Sequence, residues 1–507
     1  MQVQPNSTIM LFSGVPLDNT YEHTLWFDSA GAQNFGTPVR VFNANTYQRV
    51  NAGVFQARCL ADEIYNCNYM AFQNTSFGGK WFYAFITSIE YVNNGTTNVY
   101  YEIDVMQTYL HDVTLKACTV EREHTVQDLM FQHLQPEPVQ VHDYIFEDYT
   151  DAHDLYHGAM GIIVGTAEVA NDDEMRACSG DLIDGVFNGL TLHYFSATPG
   201  GIAQLRQLVS NYTIAGKADG VICMYMVPAV TMPGVGDGSI IAYSSSAFSL
   251  NITLPRLSDD WTLDGYKPKN RKMYTYPFNF VHVDNSSGDS LQLKYELFDA
   301  GLPTMKTYCS ISTPVQISLY PMNYKRVSGN LNTECLKITD YPLCSWTYDA
   351  FADWCARSAV PMAVNAIPNV IGSLTNPAGL VTGAVSAVSS GLQAYFAPDV
   401  IKGSVGGGNV DFASGQKAFH TGRCCASYDD AIVIDEFFTR YGYACNRTKV
   451  PNRNVRPHWT YTKTVGCVAV GNCPADDVRK ICNIYDKGIT FWKNIGEVGN
   501  YQLDNTV

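Results

Sequence analysis

Charge is scarce in this sequence. Asp, Glu, Lys and Arg together supply 16% of its 507 residues, few for the surface of a soluble monomer, so much of that surface is expected to be covered in an assembly. No Lys/Arg-rich block occurs, and the formal net charge is −15 at pH 7. Gripping nucleic acid through its phosphates needs a basic face. That class of function is excluded, whereas passive passage of DNA along a repelling acidic wall is not. Cys-x-x-Cys pairs are missing although the chain holds 15 Cys. The adjacent Cys424 and Cys425 and the Cys467/Cys473 pair fit no standard zinc spacing. The opening MQVQPNSTIMLFSG has neither a basic segment nor a long apolar one, and it does not read as a secretory signal peptide. The thiols are therefore expected to be buried or free in a chain made in a reducing cytoplasm. The Asn-x-Ser/Thr triplets, such as those at Asn94 and Asn446, are expected to be turn residues rather than glycan sites.

Catalytic signatures are missing too. There is no His-Glu-x-x-His and no Gly-x-Ser-x-Gly. GVGDGS at 234–239 lacks a Lys and opens no helix, so it reads as a turn. His142, Asp143, Glu147, Asp148, Asp151, His153, Asp154 and His157 form an acidic, His-bearing cluster in which His153 and His157 stand one helical turn apart. The acids outnumber plausible metal ligands, and a solvated acidic loop is the favoured reading. A carboxylate pair for glycoside hydrolysis depends on a separation that sequence does not display. No catalytic, cofactor-binding or metal-ligating residue is predicted, and the chain is not expected to be an enzyme.

What is present is apolar and aromatic. Hydrophobic residues make up 46% of the chain, with 32 Tyr and 24 Phe, and short clusters of Tyr, Val, Thr and Phe favour strands. KWFYAFITSIEYVNNGTTNVYYEIDVMQTYL carries two such runs around Asn-Gly, a strong hairpin signal. Its strands are predicted over 81–92 and 98–108, each extending about 35 Å, and such long hairpins suit a sheet that continues into neighbouring subunits. The chain divides into a β-rich segment 1–120, a mixed α/β segment 121–310, a return to strands over 311–357, a peculiar stretch 358–410 and a closing α/β segment 411–507. Helices are predicted over 201–212, after Ser427 up to Gly442, and between Pro474 and Gly488, from their capping residues. Strands are predicted in GAMGIIVGTAEV, CMYMVPAV, CSISTPVQISLY, RPHWTYTKTVGCVAV and ITFWK. The fold class is mainly β with α/β additions.

The peculiar stretch has no charged side chain from Ser358 to Pro398, 41 residues. Thr375-Asn-Pro-Ala-Gly379 divides it at a turn signal. If helical, each limb spans roughly 25 to 30 Å, close to a bilayer's hydrocarbon thickness. The first limb carries Val364, Ile367, Val370, Ile371 and Leu374, and its Pro361 and Pro368 kink it or keep it extended. In the second, Leu380, Val381, Val385, Val388, Leu392, Tyr395 and Phe396 supply the apolar side chains. Val381, Val385, Val388, Leu392 and Phe396 lie at helical spacing, and Gly379, Gly383, Ala387 and Gly391 recur every four residues as a seam for close helix packing. The limbs are only mildly apolar, so a single hairpin is not expected to insert stably in lipid. A flexible Ala/Gly/Ser loop or an ordinary buried helix pair stands beside the membrane reading.

The two ends of the chain resemble a known family. VPLDNTYEHTLWF (15–27), MAFQNTSFGGKWFYAF (70–85), NNGTTNVYYEIDVMQTYL and REH (122–124), followed near the end by YGYACNRTKVPN (441–452) and GITFWKNIGEVGNYQLDN (488–505), resemble the tail knob, or distal tail tube, protein of phi29-like podophages. The likeness covers about 200 residues and leaves 125–350 unaligned. It implies a hexameric β-rich tube at the far end of a short tail, with an inserted outer domain. It also implies an apolar loop from each subunit that plugs the bore and, on ejection, leaves to form a channel in the host membrane. Mapped by the resemblance, that loop is 358–398, and Gly403, Gly406, Gly407 and Gly408 form its hinge. Twelve helices from six such loops, at about 10 Å spacing, leave a lumen of roughly 28 Å, room for a DNA duplex about 20 Å wide. The implied partners are copies of the same chain, other tail proteins (the collar or lower tube and the tail-tip protein), the host membrane transiently, and genomic double-stranded DNA that passes without specific binding. The implied location is the distal end of the virion tail, after synthesis in the host cytoplasm. A loop that only plugs the bore is the alternative, and a tail-associated cell-wall hydrolase a more remote one.

Overall fold

The computed structural model describes residues 7–43, 53–74, 78–151, 160–166, 182–183, 186–187, 191–215, 220–228, 234–241, 248–254, 256–285, 288–310, 316–327, 334–338, 343–344 and 419–507. These form two compact units. The first comprises Met1–Asp143, Gly265–Met273 and Ser427–Val507, and the second Tyr144–Asp264 and Tyr274–Ala426.

In the first unit, a six-stranded antiparallel sheet runs in the order Arg40–Asn43, Ser7–Ser13, Cys67–Asn74, Trp81–Asn93, Thr96–Ile103, Val54–Ala57. Side chains alternate along a strand, and both faces of the central strands are buried. Tyr69, Ala71, Tyr83 and Phe85 face one core, while Met70, Phe72 and Ala84 face another with Ile9, Leu11, Phe55 and Val99. The first of these cores joins the two ends of the sequence. Trp459, Tyr485, Phe491 and Trp492 share it with Tyr69 and Tyr83, and the rings of Trp459, Trp492 and Tyr501 stand 5.1 to 5.2 Å apart. A five-stranded sheet repeats this join in the backbone. Its order is His23–Leu25, Ile489–Trp492, Trp459–Val465, Cys118–Glu123, Tyr443–Lys449. His23–Leu25 lies parallel to Ile489–Trp492, a pairing between the two ends of the chain.

Two helices of this unit stand where their caps place them. Ser427 accepts from the Asp430 N–H at the start of Tyr428–Tyr441, and Gly442 ends that helix at φ +68°. Ala475–Lys487 follows Pro474 and stops at Gly488, φ +99°. The hairpin is closed by Asn94 and Gly95, where the Asn93 side chain accepts the Gly95 N–H at 2.9 Å. Its second strand departs from the predicted 98–108. It runs Thr96–Ile103, after which Val105–Thr108 is a single helical turn. The cause is Asp104, which accepts the Gln107 N–H at 3.1 Å and caps that turn.

The second unit is antiparallel throughout its described sheets. A five-stranded sheet, Ile240–Ile241, Thr191–Ser196, Met160–Thr166, Val221–Pro228, Leu343–Cys344, carries the helix Pro199–Ile214. Leu205, Val209 and Tyr212 of that helix pack on Ile162, Val164, Phe195 and Met224. A four-stranded sheet orders Tyr144–Asp151, His420–Ala426, Asn279–Asp284, Ser290–Leu293, and another orders Phe248–Thr253, Thr304–Ser310, Gln316–Pro321, Leu336–Ile338. The predicted acidic loop is thus corrected in part. Residues 144–151 form a strand, because Tyr144, Ile145 and Phe146 pair with Ala426, Cys425 and Cys424, and Glu147 ion-pairs with buried Arg423. His153, Asp154 and His157 lie outside the described residues.

Candidate functional site

The aromatic hairpin is the first place where the fold presents something it does not itself use. Its base is held firmly. Asp104 also accepts the Tyr69 hydroxyl at 2.9 Å. Burial pushes the Asp104 carboxyl up to about 6 against those hydrogen bonds. Glu102 pairs with Lys480 of the C-terminal helix at 2.6 Å. Trp81 to Ile86 are buried or half-buried, but beyond them the strand loses its cover. Thr87, Ser88 and Glu90 through Asn93 are exposed, Tyr91 at 58% and Val92 at 43%. Val54–Ala57 pairs with Thr97–Tyr100 beside it, but the Tyr91 and Val92 side chains are left uncovered, and this outer half is a surface suited to a neighbour.

A second feature sits on the helix Tyr428–Tyr441. The chain leaves and re-enters the first unit around 143, 265, 273 and 427, and two carboxylates of this one helix hold the segments concerned. Asp430 accepts the backbone N–H of His142 at 2.6 Å and of Asp143 at 2.9 Å, and the Asp143 carbonyl accepts the Ser427 N–H at 3.0 Å. Asp435, fully buried, accepts the Tyr266 hydroxyl at 2.8 Å, the Lys269 N–H at 2.7 Å and the Asn270 N–H at 3.1 Å, with the Asn270 side-chain amide at 2.9 Å. Burial raises the Asp435 carboxyl above its usual range while these donors pull it back. Around them lies a buried ionic knot in which Glu137 pairs with both Arg122 and Lys272 and takes the Ala444 N–H at 2.9 Å. Next to it, His124 donates from Nε2 to the Thr439 carbonyl at 3.0 Å and accepts the Tyr461 N–H at Nδ1 at 2.8 Å. Burial and the nearby Arg456 pull His124 down to about 3, so it is neutral. These are fastenings, held by the hydrogen bonds and ion pairs just given. Among the described residues no group of His, Cys, Asp and Glu has metal-holding geometry.

The residues predicted for the plug, the seam and the hinge, from Val364 to Gly408, all fall within 345–418, outside the described residues. The roots of that segment are described, and they differ. On the N-terminal side the last described element is Leu343–Cys344, a two-residue strand on a sheet edge bonded to Met224 and Tyr225. On the C-terminal side Phe419 is fully buried, and His420–Ala426 runs between two partner strands. Arg423 anchors it. Its guanidinium donates to the Thr262 carbonyl at 2.9 Å and lies 4.5 Å from the Trp261 ring centre, besides its pairing with Glu147. Sequence reasoning missed Arg423, Asp435 and Glu137. The one available signal was a charge set among apolar neighbours, as in Thr-Gly-Arg-Cys-Cys. Among the described residues no helix is long and apolar enough to cross a membrane.

Comparison with known proteins adds to this geometry. A family model described as the C-terminal domain of the Bacillus phage phi29 tail knob protein gp9 matches residues 242–506. The chain belongs to this tail knob family. A second model, the caudoviral major tail protein N-terminus, matches residues 5–114, the segment that carries the six-stranded sheet. Similar relatives are the tail knob proteins gp9 of Bacillus phage B103, 24% identical, and of Bacillus phage phi29, 21% identical. In each alignment 98% of this chain and 98% of the relative are covered. The likeness thus runs through the region 125–350 that the motifs left unaligned. Among solved structures, the bacteriophage C1 tail knob protein gp12 matches with a TM-score of 0.62 at 16% identity over 99% of both chains, which shows a shared fold. This tail knob chain is a structural component of a phage tail, and it is not an enzyme.

Proposed function

We propose that the chain assembles as a closed ring of six copies forming the distal tube of a short phage tail, with the uncharged segment 358–398 filling the bore before infection. On ejection these segments swing out about Gly403, Gly406, Gly407 and Gly408, and enter the host membrane as a channel through which double-stranded DNA passes without specific contact. In this reading 1–120 and 411–507 build the tube wall. Residues 121–310 form an inserted outer domain and 311–357 lead back to the plug. The collar or lower tube and the tail-tip protein are the neighbours along the tail, and the chain is made in the host cytoplasm before it joins the virion.

The observation that carries this reading is the outer half of the aromatic hairpin, apolar and uncovered at Tyr91 and Val92 on a unit whose base is rigidly packed. Charge content of 16% and net acidity agree with a largely covered chain whose bore repels DNA. The physical logic of the plug is a change of solvent. Mildly apolar limbs satisfy one another inside a narrow lumen, and once expelled they gain by leaving water for lipid.

Light scattering and dye-loaded liposomes test the two halves of the proposal. The purified chain is expected to give particles of six times the chain mass, and, once triggered to release the segment, to empty the liposomes. Replacement of 358–398 by a short Gly/Ser linker is expected to keep the ring and abolish leakage. Monomers at high concentration would overturn the ring. Leakage equal in both chains would overturn the membrane role, and intact liposomes with both would leave the segment as a plug only.

A further inference from the structure

We propose that Cys467 and Cys482 are a disulfide-forming pair, with Cys118 held beside them as a third, non-bonding thiol. The three come from separate places in the first unit: the start of the strand Cys118–Glu123, the turn after Trp459–Val465, and the middle of the helix Ala475–Lys487. Their convergence is fixed by the backbone around them. The Lys116 N–H donates to the Val468 carbonyl at 2.8 Å, and Thr119 lies opposite Val465 in the sheet. The Cys467 N–H donates to Asp486 at 3.0 Å, and the same carboxylate oxygen accepts the Thr464 hydroxyl at 2.7 Å. Asp486 follows Cys482 by one helical turn, so the carboxylate that pins the Cys467 backbone shares a helix face with the Cys482 thiol. The thiol of Cys467 accordingly lies within hydrogen-bonding reach of Cys482, and that of Cys118 within reach of Cys467.

Two chemistries suit gathered thiols, a soft metal and a disulfide. The described residues offer no metal-holding geometry, which favours the disulfide. Cys467 and Cys482 are both half-exposed whereas Cys118 is buried, so a disulfide in solution reaches the pair, here through Cys482. Its thiolate attacks one sulfur of a small-molecule disulfide such as oxidised glutathione, expelling one thiolate and forming a mixed disulfide. Cys467 then gives its proton to solvent and attacks the Cys482 sulfur, expelling the second thiolate. The protein loses two protons and two electrons, and the oxidant becomes two thiols. In a reducing compartment the pair stays open. Outside it, closure staples the C-terminal helix to the turn at 466–468.

The test is peptide mapping of the folded full-length chain after exposure to oxidised glutathione at pH 7 and pH 9, quenched with acid and alkylated. A cross-link between Cys467 and Cys482 that lacks two hydrogens is expected. Burial raises the Cys467 thiol above its ordinary range, so closure is expected to be faster at pH 9 than at pH 7. Cys118→Ser keeps the cross-link, and Cys482→Ser abolishes it while Cys467 remains open to alkylation. Glutathione adducts that never close at pH 9, or a cross-link that runs through Cys118, would overturn the proposal. The map of the unmutated chain decides this even if Cys482→Ser does not fold.

Discussion

At the scale of single residues, burial sets the chemistry of His124. Both of its ring nitrogens are engaged and Arg456 lies near, which holds the folded-state value at about 3 against an ordinary 6.5. Between those values the unfolded chain binds the extra proton, so the contribution to stability rises with pH across the window and is lost on acidification. Asp104, pushed up to about 6 by burial, has the opposite slope. Its folded state holds the proton between the usual carboxylate value and 6, so its contribution falls as pH rises through that range. Acid unfolding followed by tryptophan fluorescence separates the two. With His124→Gln the midpoint is expected to move to lower pH, and an unmoved midpoint would show that His124 does not control acid unfolding. Asp435 makes a second residue-scale prediction. Asp435→Ala leaves the Lys269 and Asn270 N–H groups and the Tyr266 hydroxyl without their acceptor, and is expected to cost about 3 to 5 kcal/mol in urea denaturation. A loss below about 1 kcal/mol would mean that Asp435 fastens nothing.

At the scale of elements, capping and alternation were readable and long-range polar pairing was not. Ser427, Gly442, Pro474 and Gly488 mark two helix ends in sequence because their effect is local. The strand misread as 98–108 is the exception. Asp104 breaks it by capping one helical turn, and a buried Asp inside an apolar run looks from sequence like any other strand position. Glu147 read as a member of a solvated loop because its partner, Arg423, lies far along the chain. Gly442 gives a sharp element-scale test. At φ +68° an added Cβ would lie 2.2 Å from the Glu123 carbonyl oxygen. Gly442→Ala is therefore expected to destabilise by more than about 1 kcal/mol, measured by the shift in the urea midpoint. The hairpin gives the complementary case. Tyr91→Asp combined with Val92→Asp touches only exposed positions, so the monomer is expected to keep its stability within about 0.5 kcal/mol while sedimentation shows the ring lost. Rings that survive the double change would remove the hairpin from the interface.

At the scale of the whole molecule, the sequence disclosed its ends better than its middle. The aromatic motifs at 70–85 and 488–505 are conspicuous because they fill one core made from both termini. The likeness to tail knob proteins reaches residues 125–350 only through an alignment of 24% identity along 98% of the chain, a signal no short motif displays. The segment 345–418 is rooted on one side in a minimal edge strand and on the other in a strand paired on both sides. Pulling it outward is therefore expected to strip the Leu343–Cys344 edge before His420–Ala426, visible as earlier hydrogen exchange at the one amide of Met224 and Tyr225 that faces this edge strand than at Cys424 and Cys425. The central claim, that the uncharged segments of six chains together close a bore, is tested most directly by a density map of the assembled full-length protein beside one of the linker variant. The account predicts six-fold rings in both, with axial density in the first and an open channel in the second. Identical open channels, or density for 358–398 folded inside each chain away from the axis, would contradict it.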